Sequence, residues 1–253
     1  MHTPRLTSVL TAEALGTFLF FFLGAGAVVL NSGGTAGAGL LGVALAHGLA
    51  LAVLVSALGA VSGAHFNPAV TVAVFVSGRM TAAHAGMYIV VQLAAGAAAA
   101  LALRAVFPEL AWAPVALGTP AVHPEITIPA AIAIEAVLTL LLVLAVFGTA
   151  IDTRAPKLGG LAIGLAVTAD ILMGGPLTGA AMNPARWFGP AIVSGSFDNW
   201  YVWWVGPFIG AAVAAFIYRF ALAETAYAEV TPATPEGDVD LDLDLDDEGE
   251  PAR

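Results

Sequence analysis

Two copies of one tripeptide are the residues best suited to do chemistry in this chain. Asn67-Pro68-Ala69 follows Ser62-Gly63-Ala64-His65-Phe66, and Asn183-Pro184-Ala185 follows Thr178-Gly179-Ala180-Ala181-Met182. An Asn side chain caps the first free N–H groups of a helix, Pro fits the first helical position because its missing N–H would have no partner there, and Ala extends the turn. Each copy therefore starts a helix at its positive dipole end and carries an amide that can donate to a passing polar molecule. If the two starts face each other, a water that accepts from both Asn side chains cannot relay a proton, and cations meet two positive helix ends. Arg186 follows the second copy directly, and an arginine in an apolar stretch is a functional candidate by default. A lone Asn-Pro is only a common turn signal. Two copies, each led by Ser/Thr-Gly-Ala and 116 positions apart, are a repeat.

The elements that must position these residues belong in a bilayer. Of 253 residues, 59% are hydrophobic and 10% charged, and mean hydropathy is +0.91, too little charge to cover a water-soluble surface. A spanning helix needs about 20 mainly apolar residues. Six stretches qualify, at 8–30, 37–58, 81–104, 127–150, 158–177 and 200–223. The first resembles a signal peptide in ending at Gly24-Ala25-Gly26-Ala27, but Glu13 interrupts it and the repeat requires it. Two shorter apolar stretches, 67–77 and 183–194, fall between spans two and three and between five and six. Short segments at matching places in two halves mark an inverted repeat with half-helices meeting at the midplane. The expected fold is an all-α membrane protein: six transmembrane helices plus two re-entrant half-helices in an inverted 3+3 repeat. The channel domain covers 1–223, with repeats at about 8–104 and 127–223. Arg5, Arg79, Arg154, Lys157 and Arg219 fall on one side of such a threading, which makes both termini cytoplasmic. Residues 224–253 hold eleven acids and one base and are expected to be a disordered, solvated tail. Without cysteine, disulfides and thiolate metal sites are excluded, and no metal, cofactor or nucleic-acid partner is expected.

The paired motifs, together with Trp203-Trp204-Val205-Gly206-Pro207 at the start of span six, resemble the major intrinsic protein (aquaporin) family over about residues 8–222. The resemblance implies a passive channel, no enzyme, working as a homotetramer with one pore per subunit, in the cell membrane. It also implies a selectivity filter on the extracellular side formed by His47, Ile171, Ala180 and Arg186, and loop-supporting carboxylates at Glu13 and Glu135. This quartet is similar to that of plant tonoplast intrinsic proteins, as is Asn183 to Ala191 except at Trp187, where those proteins typically carry Ser. Strict water channels carry Phe and His where this chain has His47 and Ile171, so the expected cargo is water plus a small neutral solute, with ammonia and hydrogen peroxide ahead of urea. By position alone, His47 could equally bond a helix carbonyl. His123, in the connection between the halves, is a possible extension of the filter or a solvated loop residue. His65 is read as a loop-packing or mouth residue. Asp170 is left open: it could pair with Arg186, bond a loop group or reach the interface. A glycerol facilitator is the first alternative; Trp187 and Ala191 stand where such proteins carry an Asp and a basic residue. A secondary transporter is more remote, since the spans lack acids beyond Glu13, Glu135 and Asp170.

Overall fold

Apolar side chains on both faces of a helix suit lipid on one side and protein on the other, and the long helices of this chain follow that rule. The computed structural model describes residues 5–32, 39–152, 154 and 158–222. Lys157 and the acidic segment 224–253, used above, lie outside the described residues. Six helices are long and apolar enough to cross a membrane. They are α1 (Leu6–Ser32), α2 (Gly39–Ser62), α4 (Ala82–Val106), α6 (Ile128–Val146, prolonged by a π turn at Phe147–Ile151), α7 (Leu161–Thr178) and α9 (Val202–Ile217, prolonged by a π turn at Tyr218–Leu222). Two short helices begin at the paired prolines: α3 (Pro68–Val76) and α8 (Pro184–Ser194). No strand occurs among the described residues.

Packing repeats between the halves. Helix α1 packs on α2 and α4, as α6 packs on α7 and α9; α2 against α7 joins the halves. Each half-helix leans on the third span of the other half, α3 on α9 and α8 on α4. This exchange holds the two re-entrant segments end to end. Small residues permit the close approaches. A β-carbon on Gly164 would overlap the Gly48 carbonyl, and one on Gly160 would overlap the Ala52 carbonyl, so this small-residue stripe serves contact inside the bundle, between α2 and α7. Leu49, Val53, Val90, Leu101, Leu165 and Val213 are exposed on the outside of the bundle, whereas Glu13 and Glu135 are fully buried.

One part of the connection between the halves carried no signal in the sequence. A short helix α5 (Glu109–Trp112) runs into a 3-10 turn at Ala113–Gly118, where Ala116 and Leu117 take left-handed φ of 45° and 58°. Residues with a β-carbon rarely adopt that region, so pattern reading does not foresee it.

Candidate functional site

The midplane joint is built from the two Asn caps. Asn67 Oδ1 accepts from Ala69 N–H at 2.8 Å, and Asn183 Oδ1 accepts from Ala185 N–H at 3.0 Å and from Arg186 N–H at 3.3 Å. The amides cross between loops: Asn67 Nδ2 donates to the Met182 carbonyl at 2.9 Å, and Asn183 Nδ2 donates to the Phe66 carbonyl at 3.0 Å. An amide has two N–H groups, so each Asn keeps one to offer the lumen. The loops before the caps are tightly turned, with left-handed φ at Gly63, Ala64 and Phe66 and again at Gly179, Ala180 and Met182.

One buried carboxylate braces each loop. Glu13 accepts from Ser62 Oγ (2.8 Å), His65 N–H (2.9 Å), Phe66 N–H (2.8 Å) and Gln92 Nε2 (2.9 Å). Glu135 accepts from Thr178 Oγ1 (2.7 Å), Ala181 N–H (3.0 Å) and Met182 N–H (2.7 Å). Burying a carboxylate is expensive unless such donors surround it. The third span of each half adds a matching tie: Tyr88 Oη donates to the Ser62 carbonyl at 2.7 Å, and Trp203 Nε1 donates to the Thr178 carbonyl at 3.0 Å.

Arg186 is 5% exposed, with its first turn fixed by the Asn183 cap. Its Nη1 donates to the Gly118 carbonyl at 2.8 Å, and its Nε donates to His47 Nε2 at 3.2 Å. His47 Nδ1 lies 2.9 Å from the Val43 carbonyl; the carbonyl and Arg186 can only accept and only donate, so the ring is the neutral Nδ1–H tautomer. One His47 nitrogen bonds its own helix, and the other faces Arg186.

A lumen runs past these groups. His47, Ile171, Ala180, Arg186, Asn67 and Asn183 line it, together with apolar side chains that include Leu51, Val55, Leu142 and Val167. Phe20 also lines it, packed edge-on to the His47 ring at 6.0 Å. Towards one end, His47, Ile171 and Arg186 are shared with a wider chamber bounded by Ala116, Gly118 and Thr119. Towards the other, His65, Val55 and Val146 are shared with a chamber that reaches Arg79. The three cavities share residues in sequence and form one path lined by both polar and apolar side chains.

Sequence reasoning missed several participants. The Gly118 carbonyl is a backbone group and leaves no side-chain signature. Phe20 sat inside an unbroken apolar run, Gln92 and Tyr88 looked like ordinary span residues, and Trp203 was noted only as part of the run that opens span six. His65 lies on the lumen wall with Nδ1 3.1 Å from Thr71 Oγ1. His123 is exposed, and its Nδ1 accepts from Glu125 N–H at 3.3 Å; it is not among the residues lining the lumen. Asp170 is 2% exposed, so it does not reach the interface, and its Oδ2 has no hydrogen-bond partner among the described residues. Trp187 stacks on Trp203, centroids 5.6 Å apart and planes 9° from parallel.

Comparison with known proteins fits this geometry. The family model described as Major intrinsic protein matches residues 1–218. The chain is 43% identical over 236 residues to "Probable aquaporin TIP3-2" of Arabidopsis thaliana, covering 87% of this chain and 85% of that protein. It is 42% identical over 213 residues to "Lens fiber major intrinsic protein" of Lithobates pipiens, covering 83% and 80%. Among solved structures, the aquaglyceroporin from Plasmodium falciparum shares the fold with a TM-score of 0.79 at 22% identity, over 88% of this chain and all of that one.

Proposed function

Because the chain belongs to the major intrinsic protein family, we propose that it is a passive pore for water and one small neutral solute, ammonia or hydrogen peroxide ahead of urea, which holds back protons and ions. Membership makes it an integral membrane channel for water or small solutes rather than an enzyme. The finer reading is supported best by one observation: the crossed pair Asn67 and Asn183, each with an amide N–H left for the lumen beside a helix N-terminus. A water crossing that point accepts twice and donates to neither Asn, so the proton wire is interrupted there, while the helix ends repel cations.

The filter quartet sets which neutral solutes pass. His47 already accepts from Arg186, so solute meets the remaining guanidinium donors on one side and the Ile171 side chain on the other. A weakly hydrated molecule loses little on that greasy wall, and Ala180 leaves room. Glycerol is disfavoured by Trp187, which is stacked into the protein interior where a glycerol facilitator carries an acid. The channel domain is 1–223 with an acidic tail, and the working form is a homotetramer in the cell membrane. Arg5, Arg79, Arg154 and Arg219, all near the end where α1 starts and α9 finishes, support a cytoplasmic orientation of that end.

Stopped-flow light scattering on proteoliposomes with water, ammonia, hydrogen peroxide, urea and glycerol tests the filter. The double variant His47→Phe/Ile171→His is expected to keep water flux and cut the solute-to-water ratios. An unchanged solute profile would mean these two residues do not form the filter.

A further inference from the structure

The filter arginine is held by two acceptors, and both are seated on the same turn of α1. A β-carbon at Gly24 would overlap the His47 ring, so Gly24 makes the space in which that imidazole stands. The next residue, Ala25, is the floor for the other acceptor. A β-carbon on Gly118 would lie 3.2 Å from the Ala25 carbonyl and 3.3 Å from the Ala25 side chain, and the preceding Leu117 is fully buried in a cluster with Ala25 and Leu103.

The backbone just before Gly118 is strained. Ala116 and Leu117 are consecutive left-handed residues with side chains, and Gly118 follows at φ 78°. Such a conformation persists only when its surroundings over-determine it. The buried Leu117 side chain and the Thr119 N–H bond to the Ala116 carbonyl at 3.1 Å are what hold it. The product of that turn is one carbonyl aimed at Arg186 Nη1.

We propose that Leu117 is a positioning residue for the filter: by anchoring the left-handed turn against Ala25 of α1, it fixes Arg186 and so sets the solute-to-water ratio without itself touching the lumen. The proposal rests on the reading of Arg186 as a filter residue given above. Without the anchor, the Gly118 carbonyl leaves its place, and Arg186 keeps only His47 as a side-chain acceptor. The guanidinium then samples positions that leave the constriction wider.

The test is a comparison of urea-to-water permeability ratios in proteoliposomes. Leu117→Ala is expected to raise the ratio by about threefold or more, since displacement of a supporting group on this scale costs much of a site's discrimination. Leu117→Met, which refills the cluster, is expected to restore the native ratio. Arg186→Val is expected to raise it further, and Leu117→Ala added to Arg186→Val is expected to change nothing more, because the residue acts through the arginine. Should the Ala channel not reconstitute, Leu117→Val carries the same measurement with a smaller shift. A native ratio in Leu117→Ala or Leu117→Val, or a Leu117 effect that persists when Arg186 is Val, overturns the positioning role and leaves the filter reading standing. A native ratio in Arg186→Val removes the filter reading itself, and the proposal with it.

Discussion

Glu135 accepts three hydrogen bonds from a loop that has no other means of satisfying those donors. Glu135→Ala leaves them stranded in a buried site, which costs on the order of 3 kcal/mol or more, and the loop that carries Asn183 and Arg186 loses its brace. The expected outcome is a lower thermal midpoint in detergent and a smaller monodisperse fraction by size exclusion. Glu13→Ala should act alike on the other loop. The loop-supporting role of these carboxylates was legible through the family resemblance, with which the cost of an unpartnered acid inside a membrane span agrees. The partners of Arg186 were legible only in part: His47 was named as a filter position that the family resemblance implies, not as an acceptor for Arg186, and Gly118 acts through its carbonyl, which any residue type supplies. His123 shows the converse, a chemically suggestive residue that the connection leaves exposed beside Glu125.

At the scale of elements, the paired tripeptides made both half-helices legible to within a residue or so, since Asn cap and Pro at the first turn fix a helix start physically. The spans followed from length and apolarity, with ends off by a few residues because helix termini fray and the apolar run does not mark the last turn. Which glycines matter is decided by what a β-carbon would meet. Gly164 meets the Gly48 carbonyl across the α2–α7 contact, whereas nothing lies within 4 Å of a β-carbon on Gly59 of the same bundle. Gly164→Ala is therefore expected to cost about 1–3 kcal/mol by overpacking, and Gly59→Ala to leave the thermal midpoint unchanged or slightly raised. A second element-scale tie closes the ends of α6 and α9. Tyr218 Oη donates to Asp152 at 2.6 Å, and Arg154 Nε donates to the same carboxylate at 2.8 Å. The Arg154 guanidinium, helped by the Tyr218 hydroxyl, holds the Asp152 carboxyl well below the usual carboxylate range. A carboxyl depressed by folding adds stability above its unfolded value of about 3.9, and that stability is lost as pH falls through the folded value. Asp152→Asn should thus lower the thermal midpoint slightly at neutral pH, and its gap from the native protein should close as the buffer is taken below about pH 4. A gap independent of pH would show that the carboxylate charge is not what holds the tie.

The whole molecule is assembled from two inverted halves, and the proposed function divides selectivity between two levels of the path. In that proposal the Asn67–Asn183 level meets protons and cations, and the His47–Ile171–Ala180–Arg186 level meets neutral solutes. Because the chain has no cysteine, mercurials are expected to leave its water flux intact, and a block reversed by thiols would be contrary to that. The measurement closest to the central claim is osmotic water permeability and proton conductance on the same proteoliposomes, with and without ion gradients. The account predicts rapid water flux that is indifferent to ion gradients, with proton leak no greater than in protein-free liposomes. Water flux that stops when the gradients are removed, or a proton leak that scales with the amount of protein, would contradict it.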